Sequence, residues 1–138
     1  MNRKDFQQLA NIRIREAKVL LDTNLYEGSY YLAGYSVECA LKACIARQIR
    51  VHDFPDRKLV KDVFTHNLQT LIRLAGLETE LRATEQSNSD FGDNWRVVKD
   101  WSEEVRYETN VEDQVAKDLY LAITHRRNGV LTWLKKYW

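Results

Sequence analysis

Few side chains in this sequence have the chemistry for catalysis or ligand binding, and they are widely spaced. Three histidines, His52, His66 and His125, are the side chains whose ordinary pKa lets them exchange protons near neutral pH. Glu38 lies inside a long apolar segment, with Lys42 one helical turn later and Tyr31 and Tyr35 on the same face. A carboxylate in such a segment is costly to bury unless it is paired. Two readings are open for it. Glu38 and Lys42 form a partly exposed ion pair on a bundle surface, or Glu38 lies beside Arg106 and Tyr107 at a pocket or partner surface.

Arg106 and Tyr107 close an aromatic-rich stretch. Arginine there can stack on Trp101, bond a carboxylate or hold a phosphate. His66, in Thr65-His66-Asn67, sits at a helix start. It either shapes the entry into that helix or serves as a ligand or acid–base group, the helix terminus favouring neutral imidazole. Arg47 and His52 are five residues apart, a spacing that chance supplies about once in a chain of this composition. His125-Arg126-Arg127 reads as a solvated helix face. A local basic strip is possible there and at Arg47, Arg50, Arg57, Lys58 and Lys61.

The elements that hold these groups are helical. The 138 residues include one proline and five glycines, with 44% hydrophobic and 30% charged residues. That is the composition of one globular domain with few helix breakers. Phe6, Ala10, Ile14, Ala17 and Leu21 recur at helical spacing over about residues 4–24. After a turn bracketed by Asn24 and Gly28, residues 28–50 form the most apolar segment, expected at the centre. Residues 51–64, with Pro55, read as the main loop. A short helix through Leu68, Leu71 and Leu74 ends at Gly76, and a polar stretch from Gln86 to Asn94 breaks the pattern. Trp95 to Val105 reads as a further helix ending near Arg106-Tyr107. Thr109-Asn110-Val111-Glu112 has capping-box spacing and opens a last long helix reaching Tyr137. The expected fold is all-α: an up-and-down four-helix bundle with one or two additional short helices.

Several chemistries are disfavoured. A net charge of +1 gives no global signature of a nucleic-acid binder, so any such binding needs a local patch. No apolar run approaches membrane-spanning length, and the opening residues lack a signal-peptide core, which makes cytoplasmic location the expectation. Cys39 and Cys44 point in different directions on one helix and lack zinc-site spacing; buried, inert thiols are expected. There is no phosphate-binding glycine loop, dinucleotide fingerprint or His-Glu-x-x-His pair. No cofactor or metal is expected.

Taken together, Ala33-Gly34-Tyr35-Ser36-Val37-Glu38-Cys39-Ala40-Leu41-Lys42-Ala43, then Thr65-His66-Asn67-Leu68 and Leu71, then Trp101 and Arg106-Tyr107, resemble the HEPN family. These small helical modules are often encoded beside minimal nucleotidyltransferases. The resemblance covers about residues 5–135. It implies a bundle that pairs as a homodimer. In many members an arginine, four to six residues and then a histidine form a metal-independent RNA-cleaving site at the dimer cleft. Arg106 matches the arginine, but positions 111–113 are Val111, Glu112 and Asp113. The histidine is missing. Arginine can stabilise phosphorane charge but cannot exchange protons near neutral pH. The expectation is therefore a non-catalytic or atypical module that binds a nucleotidyltransferase partner, nucleotide or RNA, as in toxin–antitoxin or defence systems. Arg106, Tyr107, Glu38, Lys42 and Tyr35 are its candidate binding residues. The alternatives are an endoribonuclease using Arg106 and a displaced histidine such as His66, and a purely structural helical dimer. The aromatic surplus, with Trp133, Tyr137 and Trp138 at the chain end, fits either an interface or a cover for the bundle ends.

Overall fold

The computed structural model describes residues 1–49, 54 and 57–138, and among them every regular element is helical. The first two helices form the frame. Helix α1, Arg3–Asp22, starts with a reciprocal cap in which the Asn2 side chain accepts from Asp5 N–H and Asp5 accepts from Asn2 N–H. Asn24 adopts a left-handed φ of 64°, which turns the chain back into α2, Tyr26–Gln48. Small residues let the two helices approach closely. Ser29 Oγ donates to the Ala17 carbonyl at 2.8 Å, and Ser36 Oγ to the Ala10 carbonyl at 2.7 Å. Seven residues along α1 are thus matched by seven back along α2, which fixes an antiparallel register.

α2 is central, as its apolar sequence implies. Ser36 to Leu41 are buried without interruption, so the helix has almost no solvent face there. It packs against α1, against α4 (Leu68–Leu74), against a 3₁₀ turn at Glu103–Tyr107, and against α7 (Asp113–Thr124) and α8 (Val130–Leu134). α6 (Ser89–Lys99) packs on α7 and completes the bundle, with α5 (Glu78–Ser87) beside it.

The connections differ from the sequence reading in several places. The expected main loop contains a helix, α3, Arg57–Val63, while residues 50–53, Pro55 and Asp56 lie outside the described residues. The polar stretch from Gln86 to Asn94 is helical on both sides of Asn88, whose side chain caps α6 by accepting from Phe91 N–H at 3.1 Å. α6 ends at Lys99, so Trp101 lies in the connection after it and Val105 in the 3₁₀ segment, rather than in a continuing helix. The capping box at Thr109–Glu112 does not form: Glu112 precedes α7 without a side-chain cap, and Val111 N–H donates to Glu27.

The last long helix is two helices. His125 leaves helical geometry, and its Nδ1 accepts from the N–H groups of Arg127 and Asn128 at 3.3 and 3.0 Å. Asn128 is tied to α6 on both sides. Its Oδ1 accepts from Asn88 and its carbonyl from Asn94, each at 2.8 Å. A Cβ on Gly129 would lie 2.6 Å from the carbonyl oxygens of Ile123 and His125, so only glycine fits the return into α8. His125 is therefore a turn residue, with Arg126 and Arg127 exposed beside it.

Three of the tryptophans, Trp95, Trp101 and Trp133, are buried. Trp133 packs between Phe91 and Tyr137, with ring centroids 5.2 and 5.0 Å away, so it covers the end of the bundle. Cys39 and Cys44 are each 2% exposed. Burial pushes the Cys39 thiol up to about 11, helped by the Glu38 charge, and the Cys44 thiol up to about 12. Both thiols are expected to resist alkylation in the native state at pH 8 and to react fully in denaturant, as followed by mass spectrometry. The native state keeps its thiol protons where unfolded cysteines, near 9, lose theirs. The thiols' contribution to stability is thus complete below pH about 9 and lost as pH rises toward about 11 and 12. A native thiol that is modified at pH 8 without loss of structure would contradict this.

Candidate functional site

Tyr31, Tyr35, Glu38 and Lys42 recur at spacings of four, three and four, which places them along one stripe of α2. Tyr31 and Glu38 are about 10 Å apart along the helix axis. The stripe has an aromatic end and an ionic end.

The aromatic end is built on Gly34. A Cβ there would lie 2.2 Å from the Trp101 ring, so the missing side chain is the seat for the indole. Trp101 Nε1–H donates to the Tyr30 carbonyl at 3.2 Å, which fixes the ring. Tyr31 stacks between Trp101 and Tyr35, with centroids 6.2 and 6.0 Å away and interplanar angles of 25° and 15°. Arg106 joins this stack by a hydrogen bond to Tyr31, and its guanidinium lies 5.0 Å from the Tyr107 ring centroid. Hydrogen bonding to Tyr107, then to Tyr31, holds the Arg106 pKa above its ordinary value. The guanidinium is a permanent, solvent-facing cation, and Tyr107 is 75% exposed. The stacking partner of Arg106 is Tyr107, with Tyr31 beneath, rather than Trp101.

The ionic end is built on Glu38, which is 1% exposed. The surface-pair reading of Glu38 is therefore corrected: α4 and its entry cover the carboxylate. Its Oε1 accepts from Lys42 Nζ and from His66 Nδ1, each at 2.9 Å. Oε2 is buried without a hydrogen-bond partner. His66 reaches Glu38 because Asn67 caps α4, accepting from Thr70 N–H at 2.9 Å, and so sets the residue before it against α2. A carboxylate only accepts, so His66 Nδ1–H is the donor in this bond and Nε2 points away from Glu38. The His66 side chain remains 42% exposed.

The candidates thus fall into two groups. Tyr35 and Arg106 meet Tyr31, with Tyr107 against Arg106, while Lys42 and His66 both bond Glu38. Glu38 is not in contact with Arg106. The sequence missed the Glu38–His66 bond, which joins residues 28 positions apart. His52 lies outside the described residues, as does the Arg47–His52 spacing that depends on it. Among the described residues no cluster of His, Cys, Asp and Glu has the arrangement of a metal centre, and no helix is long and apolar enough to cross a membrane.

The family model of the HEPN domain matches residues 4–137. The chain belongs to the HEPN family. No curated protein and no solved structure matches it. In this HEPN domain the residues that follow Arg106 at the spacing of the family's histidine, Val111 to Asp113, lie at the start of α7. None of the three is a histidine: Val111 has no ionisable group, and Glu112 and Asp113 carry carboxylates in place of an imidazole.

Proposed function

We propose that this HEPN domain contacts nucleotide or RNA through the α2 stripe and acts with a partner, without cleaving RNA by the family's arginine–histidine pair. The observation that carries this reading is Arg106: a permanent cation held on an aromatic bed, facing solvent, with no histidine at the matching spacing. Its fork of N–H donors suits a phosphate, and the exposed Tyr107 ring suits a base. Lys42 adds a second cation farther along the stripe. A homodimer and a nucleotidyltransferase partner belong to the same proposal. The groove on the outer face of α1, lined by Ile12, Val19, Leu20 and Leu32, offers apolar area for such pairing.

A second reading rests on the Glu38–His66 bond. A buried carboxylate that orients an exposed imidazole prepares Nε2 as a base. In that reading Nε2 takes the 2′-hydroxyl proton, the 2′-oxygen attacks phosphorus and the P–O5′ bond breaks. The 5′-oxygen leaves with the proton returned by the imidazolium, and Arg106 stabilises the phosphorane.

One experiment separates the two. Purified protein is assayed in chelator for binding of labelled nucleotide and RNA and for RNA cleavage, comparing wild type, Arg106→Ala and His66→Ala. The expected outcome is binding weakened about tenfold or more by Arg106→Ala, with no cleavage above a protein-free control. Cleavage that disappears in both variants would replace this reading with the second. Binding unchanged by Arg106→Ala would remove its basis.

A further inference from the structure

The α3 helix carries a surface that neither reading uses. Leu59 and Val63 pack against the core, which leaves Arg57, Val60, Lys61 and Phe64 on the outward face at spacings of three and four. Phe64 is 75% exposed and Val60 43% exposed. Leaving a phenyl ring in water forgoes about 2 kcal/mol of burial, so a ring held this way needs a reason. The charge around it is one-sided. Residues 57–66 hold Arg57, Lys58 and Lys61 against Asp62 alone. With a net charge of +1 for the whole chain, everything outside this stretch has one more acid than base. The stretch is locally basic; residues 126–136, with Arg126, Arg127, Lys135 and Lys136 and no acid, are more so. Two residues beyond Phe64 in the chain comes His66, bonded to Glu38 beside Lys42 at the ionic end of the α2 stripe.

We infer that the outward face of α3 is a stacking platform for single-stranded nucleic acid: a base lies on Phe64 while Arg57 and Lys61 hold the flanking phosphates. The inference rests on the reading of the α2 stripe and extends it, because it requires a strand several nucleotides long rather than a mononucleotide. An aromatic ring beside cations binds unpaired strands with little sequence preference, since every base has a π-face. A duplex keeps its bases stacked inside and fits this ridge poorly. A lipid surface would demand an apolar helix face, and α3 has turned Leu59 and Val63 into the core.

The test is fluorescence polarisation with labelled 12-mers of uridine and of thymidine, a duplex of equal length, and labelled AMP. Wild type is compared with Phe64→Ala, Phe64→Trp, Lys61→Ala and Arg106→Ala. Phe64→Ala is expected to weaken 12-mer binding about tenfold and leave AMP unchanged, with Phe64→Trp restoring it. Lys61→Ala should lower the slope of log K against log salt by about 0.7. Preference for uridine over thymidine assigns the strand as RNA, and equal binding assigns the shared chemistry; either supports the platform. If Arg106→Ala weakens binding while Phe64→Ala matches wild type, the platform falls and the α2 reading stands. Wild-type protein that binds neither 12-mer nor AMP overturns both. Phe64-dependent flotation with anionic vesicles, without 12-mer binding, also overturns the platform.

Discussion

Gly34→Ala is expected to destabilise the protein by about 2–3 kcal/mol, although it adds one methyl group to a helix that alanine ordinarily favours. Helix propensity alone would give a gain of about 1 kcal/mol. The opposing effect is larger, because the new Cβ would sit inside the Trp101 ring, 2.2 Å from its nearest atoms. Overpacking of this kind costs about 1–3 kcal/mol and occasionally more, and here the displaced group is a buried indole with its own hydrogen bond. Thermal unfolding should show a melting temperature lower by about 5–10 °C, and tryptophan emission should shift to the red as Trp101 gains water. The substitution also removes the support beneath Tyr31 and Arg106, so ligand binding at that end should fall without any change to a contacting residue. A variant as stable as wild type would mean that Trp101 has another place to go.

The second large effect concerns the buried carboxylate. Lys42→Met is expected to destabilise the protein by about 3 kcal/mol, because it leaves Glu38 1% exposed with His66 as its remaining partner. The lost attraction is only part of this cost; the rest is a charge kept from water. The double variant Glu38→Leu with Lys42→Met should therefore be more stable than Lys42→Met alone, since the charge leaves together with its partner. Chemical denaturation of both variants decides this. A single variant no less stable than wild type would show that Glu38 finds water or another donor. A double variant less stable than the single would show that Glu38 contributes through packing.

The frame was legible from the sequence because period and breakers agreed. The apolar spacing from Phe6 to Leu21, the turn at Asn24 and the end at Gly76 all recur in the structure, where Gly76 has a φ of 68°. The break at His125–Gly129 was harder to see, since Ile123, Val130 and Trp133 keep helical spacing across it. What breaks the helix is side-chain bonding from Asn88 and Asn94, distant in sequence. α3 was hidden for a similar reason: its inward face is only Leu59 and Val63, too short to show a period.

The candidate site was partly legible. The stripe from Tyr31 to Lys42 follows from spacing along a single helix. The bond from Glu38 to His66 does not, because it depends on how α4 docks against α2. Phe64 was invisible as a surface ring, since exposure is decided by which neighbours the helix turns toward the core.

The turn at His125–Gly129 bears on how the molecule ages. Asn-Gly is the dipeptide most prone to spontaneous deamidation, in which the glycine nitrogen attacks the asparagine side-chain carbonyl to close a succinimide. Here the Gly129 N–H is bonded to the His125 carbonyl at 2.9 Å, and the Asn128 side chain is held by Asn88. Both reacting groups are kept in place, so ring closure requires the turn to open first. Conversion of Asn128 to aspartate then becomes a slow clock of local unfolding, recording how often α7 and α8 part company over the lifetime of the chain.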